Sequence, residues 1–117
     1  MTYCCGLLVR EGLVMIATAG NLSVSQNVIS HVTAGLDNPD TGERETIATV
    51  SSMFAAAQLV GRAVRKVRET LGASTDQVNY DVTMLLGGQL AGRNMRLFMV
   101  YSAGNFIEAT EDTPYLQ

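Results

Sequence analysis

The chain is short of the side chains from which most metal and redox sites are built. Its 117 residues contain one histidine, one lysine, two cysteines and no tryptophan. Cys4 and Cys5 are adjacent, so on a strand they point to opposite faces and cannot form a Cys-x-x-Cys redox pair. With His31 as the only imidazole, they cannot complete a zinc site. We therefore interpret both cysteines as small buried strand residues, and we expect no metal and no cofactor.

The chain also lacks runs of like charge and long apolar segments. It has no basic run and a net charge of -3, which argues against nucleic acid or an anionic membrane as a partner. No apolar segment is long enough to span a bilayer, and no charged-then-apolar leader precedes the first strand, so we expect a cytoplasmic protein. Hydrophobic residues make up 47% and charged residues 16%, which indicates one globular domain over residues 1–117.

The first sixteen residues hold the pattern around which the rest is interpreted. Two apolar runs flank the charged, glycine-containing segment 10–12, which predicts a β-hairpin. Thr2 lies at the start of the first strand, and a residue this small lets methionine aminopeptidase remove Met1. Thr2 would then carry a hydroxyl and a free α-amine. An ordinary start codon followed by an edge strand is the alternative interpretation.

The pairing of these two groups on one residue has a defined chemistry. A threonine hydroxyl is a weak nucleophile until a base takes its proton, and an N-terminal amine can act as that base. Because an α-amine titrates at about 7.7–8.0, it can serve this purpose near neutral pH. Thr2 is therefore a candidate nucleophile that supplies its own base.

A helix is predicted directly after the hairpin. Strand character ends at Gly20, Asn21 or Ser23 can cap the helix, and Gly35 suits its C-terminal end. A glycine between a strand and a helix N-terminus directs backbone N–H groups toward an anion, as in an oxyanion hole, although most such turns only connect elements. His31 falls within this helix with no Ser–His–Asp set around it, so we interpret it as structural.

The remaining patterns predict one long helix and three further strands. Residues 37–44 are typical of a loop, and Ser51 and Ser52 open a helix whose apolar stripe ends at Gly72. The basic residues off that stripe predict a solvated face: Arg62, Arg65, Lys66 and Arg68. Strands are expected over 79–86, 95–101 and 106–109, with a turn over 87–94. The glycines of that turn match neither phosphate-binding fingerprint.

Several segments, in order along the chain, resemble the bacterial proteasome-type proteases called Anbu, the ancestral β-subunit. The first comprises Thr-Tyr-Cys at 2–4, Gly-Leu at 6–7 and Gly-Leu-Val-Met at 12–15, and the second is the Thr-Ala-Gly-Asn-Leu block at 18–22. The resemblance is completed by residues 41–45, 53–54, 58–61, 86–89 and 101–110. It therefore extends over nearly the whole chain.

This resemblance implies a fold and a set of roles. The fold is α+β, a four-layer αββα sandwich of the N-terminal nucleophile hydrolase type, and subunits assemble into a ring-like or spiral homo-oligomer. The resemblance implies Thr2 as the nucleophile with its own amine as base, and the N–H of Gly20 in the oxyanion hole. It also implies that Thr18 and Leu22 line the pocket for the residue before the cleaved bond.

The chain departs from the family pattern in two places. The family has a Ser-Asp-Ser-Arg-like turn and a stretch with a catalytic Arg-Lys pair after the first hairpin, whereas residues 15–17 here pass directly into the next block. The only lysine is Lys66, on the long helix. The chain also has roughly half the family's usual length, with too few elements to cover two stacked sheets. We therefore expect segments to be missing near 15–17 and after 117. A genuinely short relative is the alternative.

Three functions from different classes remain at this point. The first is a threonine peptidase that cleaves peptides or unfolded proteins without a cofactor. The second is a catalytically silent structural subunit of a proteasome-like homo-oligomer. The third is a small-molecule-binding α/β domain, which is disfavoured because the sequence contains no ligand-binding motif. The chemistry of Thr2 favours the first.

Overall fold

A five-stranded antiparallel sheet organises the molecule. The computed structural model describes residues 2–9, 12–72, 81–90 and 92–112. Their elements in chain order are β1 Thr2–Val9, β2 Gly12–Gly20, α1 Leu22–Ala34, β3 Leu36–Asp37, β4 Arg44–Glu45, α2 Met53–Gly72, β5 Val82–Leu90, β6 Arg96–Val100 and β7 Phe106–Glu108. The strand order in the main sheet is β1-β2-β5-β6-β7, and β3 pairs with β4 in a separate short ribbon. The α+β class is therefore confirmed.

The predicted N-terminal hairpin is present. β1 and β2 are antiparallel, with Thr2 opposite Ala19. On its other side β2 pairs with β5, with Gly20 opposite Val82. β2 is thus hydrogen-bonded on both sides, and it carries the Thr-Ala-Gly block into the sheet beside Thr2.

Both predicted helices are present, and side-chain caps fix where they begin. Asn21 precedes α1, and its Oδ1 accepts the N–H of Val24 at 3.1 Å. Ser52 precedes α2, and its Oγ accepts the N–H of Ala55 at 3.0 Å. Gly35 ends α1 with φ +117, a conformation that a residue with a Cβ rarely adopts.

The hydrophobic core lies between one face of the sheet and the two helices. Alternate residues of each strand point to this face, as the two-residue period of a strand requires. The largest fully buried members come from both layers: Val14, Ile16, Val24, Val28, Val32, Leu59, Val60, Val64, Met84, Leu86, Leu90 and Phe98. The described residues therefore form one sheet layer and one helix layer, and the four-layer sandwich is not seen in them.

The other face of the sheet carries residues that remain exposed. Cys4 is one of them, so the prediction that it is buried is wrong, because no described layer packs over that part of β1. The side chain of Cys5 lies outside the described residues. Leu13, Met15 and Ile107 share this face by register and are about half exposed.

The turn predicted over 87–94 is wrong in its first half. β5 continues through Gly87 and Gly88 to Leu90. A Cβ on Gly88 would lie 2.3 Å from the carbonyl oxygen of Leu13, so the glycine lets β2 and β5 approach closely rather than breaking the strand. The predicted strands 95–101 and 106–109 are confirmed as β6 and β7, while residues 79 and 80 of the first predicted strand lie outside the described ranges.

Candidate active site

Thr2 and Gly20 meet at one end of the sheet. Thr2 lies opposite Ala19 in the pairing of β1 with β2, and Gly20 is the next residue along β2. Opposed residues on neighbouring antiparallel strands have Cα atoms about 4.5–5.5 Å apart. The fold thus brings together the two residues that the resemblance names as nucleophile and oxyanion donor.

The turn that follows Gly20 is hydrogen-bonded to the segment just before β5. The N–H of Asn21 donates to the carbonyl oxygen of Asp81 at 3.0 Å.

Only glycine fits at position 20. Its φ is +116, and a Cβ built on it would lie 2.4 Å from the carbonyl oxygen of Asp81 and 3.1 Å from the Cα of Val82. A side chain would therefore collide with backbone atoms, which cannot rotate away as a flexible side chain can. The close approach of Gly20 to the start of β5 and the Asn21 cap of α1 together set the geometry of this strand-to-helix turn.

Thr18 and Leu22 flank Gly20 on different elements. Thr18 is 2% exposed and faces the helices, and its Oγ1 has no hydrogen-bond partner among the described residues. Leu22 is the first residue of α1 and is half-buried. A buried hydroxyl without a partner costs about 1–3 kcal/mol, so packing alone does not account for a threonine at position 18.

Sequence reasoning missed a polar network behind the turn. The Oγ of Ser102 accepts the N–H of Val82 and donates to the carbonyl oxygen of the same residue, both at 2.8 Å. The guanidinium of Arg68 donates to the carbonyl oxygen of Ser102 at 2.9 Å and to Oδ1 of Asp81 at 3.3 Å. This network fixes the backbone against which Gly20 packs. Its members are far apart in sequence, so no local pattern could have revealed it.

The basic residues of α2 only partly follow the prediction of a solvated face. Lys66 and Arg65 are exposed, as expected. Arg62 is half-buried and forms an ion pair with Glu45, and Arg68 is half-buried in the network around Ser102. The prediction is therefore wrong for Arg62 and Arg68, because β4 provides a carboxylate for Arg62, and the segments around Asp81 and Ser102 provide oxygen atoms for Arg68.

A wide, open cavity lies at the opposite end of the sheet from Thr2. It has a volume of about 1780 Å³, and Gly12, Leu90, Arg96 and Glu108 are among its lining residues. Along β2 this is about 25 Å from Gly20, at about 3.3 Å per residue. The cavity is therefore separate from the candidate site.

Arg96 and Glu108 form an ion pair on the cavity wall that shifts the pKa values of both side chains. The guanidinium of Arg96 donates two hydrogen bonds to the carboxylate of Glu108 and stacks over the ring of Phe98 at 5.1 Å. These hydrogen bonds, and secondarily the attraction between the charges, lower the pKa of Glu108 against the opposing effect of burial and raise the pKa of Arg96. The pair links β6 to β7.

Two further features of the described ranges bear on function. They hold no group of three or more His, Cys, Asp or Glu residues that could bind a metal ion. Neither α1 nor α2 is long and apolar enough to cross a membrane. His31 is half-buried in the last turn of α1, where its carbonyl oxygen accepts the N–H of Gly35 at 2.8 Å.

Several solved structures are similar to this chain over almost its entire length. Anbu (ancestral beta-subunit) from Yersinia bercovieri is 34% identical over 97% of this chain, with a TM-score of 0.80. The helical assembly of the Anbu complex from Pseudomonas aeruginosa gives 31% identity over 97% of the chain and a TM-score of 0.81. Anbu from Hyphomicrobium sp. strain MC1 gives 36% over 95% and a TM-score of 0.76. Neither a protein-family model nor a curated protein sequence matches.

The chain matches only part of each of these longer proteins. The chain spans 45%, 46% and 49% of the length of the three proteins, which is less than half of each. The identities of 31–36% and the TM-scores agree with the resemblance found in the sequence. Over 95–97% of its length, this chain is similar in sequence and fold to solved Anbu, or ancestral β-subunit, proteins.

Proposed function

We propose that this chain carries the nucleophile of an N-terminal threonine peptidase that cleaves peptides or unfolded proteins. The observation that carries the proposal is the register of β1 on β2, in which Thr2 lies opposite Ala19 and beside Gly20. This register supports a reaction in which the hydroxyl and the oxyanion donor act on one carbonyl group. The Anbu relatives support the assignment to a proteasome-type family.

In the proposed reaction, Thr2 acts only after Met1 has been removed. The α-amine of Thr2 takes the hydroxyl proton as the oxygen attacks the peptide carbonyl carbon. The N–H of Gly20 donates to the oxyanion of the tetrahedral intermediate. The protonated amine then gives its proton to the leaving amine as the C–N bond breaks. Water, activated by the same amine, hydrolyses the acyl-enzyme and restores the Thr2 hydroxyl.

Thr18 and Leu22 are proposed to bind the substrate side chain that precedes the cleaved bond. Thr18 is buried on the helix face of β2, whereas Thr2 lies opposite Ala19 on the other face, so Thr18 would shape this pocket from behind the strand. Leu22 adds an apolar surface at the start of α1. We expect this pocket to accept an apolar residue.

The sequence has one lysine, and its position bears on turnover. Lys66 is exposed on α2. A positive charge beside the α-amine would lower the pKa of that amine and keep more of it in the basic form at pH 7. We therefore expect the 117-residue chain to turn over peptides more slowly than a longer chain that places a lysine beside Thr2.

The second candidate is a catalytically silent subunit, and the observation that favours it is that the only lysine, Lys66, is exposed on α2. In both cases we propose that copies of the protein associate, since one relative is described as a helical assembly of the Anbu complex. We propose the cytoplasm as its compartment. The two candidates differ only in whether Thr2 reacts.

Labelling with a peptide epoxyketone tests this difference. The reagent closes a ring using a hydroxyl and a free amine on the same residue, which only a processed N-terminal Thr2 offers. Intact mass of the purified native protein first reports its length and whether Met1 is removed. We then expect one adduct at Thr2, retained in Thr2→Ser and lost in Thr2→Ala. An exposed Thr2 that does not react would favour the silent subunit, and an adduct at Cys4 would overturn the threonine mechanism.

A further inference from the structure

Arg68 of α2 contacts two segments of the sheet layer at the end where Thr2 lies. Its guanidinium donates to the carbonyl oxygen of Ser102, just after β6, at 2.9 Å and to Oδ1 of Asp81, just before β5, at 3.3 Å. Because β5 and β6 are antiparallel neighbours, these two segments lie at the same end of the sheet. One side chain of the helix layer therefore holds both of them.

Each of these contacts leads to the backbone of Gly20. Asp81 is a residue against which Gly20 packs, and its carbonyl oxygen accepts the N–H of Asn21 at 3.0 Å. The hydroxyl of Ser102 forms two hydrogen bonds with the backbone of Val82, both at 2.8 Å. Val82 in turn lies opposite Gly20 in the pairing of β5 with β2. The guanidinium thus restrains both residues whose backbone atoms meet Gly20.

We infer that Arg68 is a positioning residue for the proposed peptidase. By holding Asp81 and Ser102, its guanidinium sets where the backbone of Gly20 lies. The inference rests on the proposed function, which assigns the oxyanion to the N–H of Gly20. Such a donor stabilises the transition state only from the position where negative charge develops. Because a displacement of about 1 Å can slow a reaction roughly 10²-fold, this restraint affects the rate.

Arginine suits this role better than lysine does. A guanidinium presents several donors in a rigid plane and can hold two acceptors at once, whereas an ammonium is a compact charge on a flexible chain. The side chains of Arg68 and Asp81 are 37% and 66% exposed, and an ion pair this exposed contributes little to stability. Loss of the pair should therefore leave the protein folded, so an effect on reactivity can be separated from unfolding.

The rate at which a peptide epoxyketone labels Thr2 tests the inference in the intact native protein. Arg68→Gln should lower the maximal labelling rate roughly tenfold, because the oxyanion donor is displaced. The half-saturating concentration of the reagent should change by less than about twofold, because the donor acts in the transition state. Arg68→Lys should label at an intermediate rate. Lys66→Gln removes the same charge from an exposed position of α2 and should label at the wild-type rate.

A double-mutant cycle tests whether Arg68 acts through Asp81. Asp81→Ala keeps the backbone carbonyl group and removes the carboxylate, so it should label more slowly than wild type but faster than Arg68→Gln, in which the contact with Ser102 is also lost. The double variant should label at the rate of Arg68→Gln, because the carboxylate acts on Gly20 only through Arg68. If the two losses multiply, the residues act independently and the inference is wrong.

Amide hydrogen exchange tests the positioning without the reagent. The N–H of Asn21 donates to Asp81, so its exchange should become faster in Arg68→Gln and stay unchanged in Lys66→Gln. Unchanged exchange at Asn21 in Arg68→Gln would show that Arg68 does not hold this turn.

The outcomes separate this inference from the proposed function. A wild-type protein with Thr2 exposed that does not label overturns the peptidase and the positioning role with it. A wild-type protein that labels while folded Arg68→Gln labels equally fast overturns only the role of Arg68. Circular dichroism checks that the variants fold. If Arg68→Gln does not fold, Asp81→Ala decides, because a wild-type labelling rate in that variant overturns the inference.

Discussion

Gly20 packs directly against the backbone of Asp81, so closely that a Cβ would lie 2.4 Å from the Asp81 carbonyl oxygen. The same oxygen accepts the N–H of Asn21 at 3.0 Å. The turn from β2 to α1 is therefore held to the start of β5 by close approach and by a hydrogen bond. Thr2 lies beside this turn. Its surroundings therefore depend on the backbone contact between Gly20 and Asp81.

We predict that Gly20→Ala destabilises the fold beyond the cost of its positive φ. Gly42 is the matched control, because its φ is +73 and a Cβ there meets nothing within 4 Å. Gly42→Ala should cost about 1–2 kcal/mol in the free energy of unfolding from backbone strain alone. Gly20→Ala should cost at least about 1–3 kcal/mol more, because the added methyl group overpacks against backbone. Urea denaturation compares the two, and equal losses would contradict the close approach.

The buried hydroxyl of Thr18 leads to a second prediction. Because Oγ1 has no partner among the described residues, Thr18→Val should raise the free energy of unfolding by about 1 kcal/mol. Thr18→Ser keeps the hydroxyl and loses a buried methyl group, so it should lower that free energy by about 1 kcal/mol. A Thr18→Val variant that is clearly less stable than the wild type would show that the hydroxyl does have a partner.

The Arg96–Glu108 pair predicts a pH dependence of stability. The pKa of Glu108 is lowered in the folded chain, so its contribution is present above the unfolded value of about 4.3 and is lost as pH falls through the folded value. Both side chains are about one-third exposed, so we expect about 1 kcal/mol or less. Glu108→Gln should unfold at a lower temperature than wild type at pH 7, with the difference shrinking toward pH 3. Glu111→Gln, which removes an exposed carboxylate, should not reproduce that trend.

The elements that sequence predicted well are those fixed by local chemistry. Asn21 and Ser52 cap the two helices, and the apolar period of α2 matches its buried face. The hairpin followed from two apolar runs and a short charged break. These features need only neighbouring residues, so a single sequence predicts them.

The errors arose where distant segments decide the outcome. The pattern of Gly87 and Gly88 predicts a turn, but both lie within β5, and Gly88 lets β5 approach β2, which lies about seventy residues earlier in the chain. The apolar sequence of β1 predicts that Cys4 is buried, yet Cys4 is exposed because no described layer covers it. For the candidate site, the family resemblance implied that Thr2 and Gly20 act together, whereas the Ser102 network depends on contacts between α2, β5 and the loop after β6.

The last prediction concerns that network. Ser102→Ala removes both hydrogen bonds to the backbone of Val82 and should lower the free energy of unfolding by about 1–3 kcal/mol, because a buried N–H loses its partner. Amide hydrogen exchange at Val82 should become faster. Ser102→Thr keeps the hydroxyl and should restore protection, and Ser30→Ala, exposed on α1, should leave exchange at Val82 unchanged. Because Val82 lies opposite Gly20, loosening it should also slow epoxyketone labelling of Thr2 without abolishing it. Unchanged exchange at Val82 in Ser102→Ala would show that Ser102 does not hold this end of the sheet.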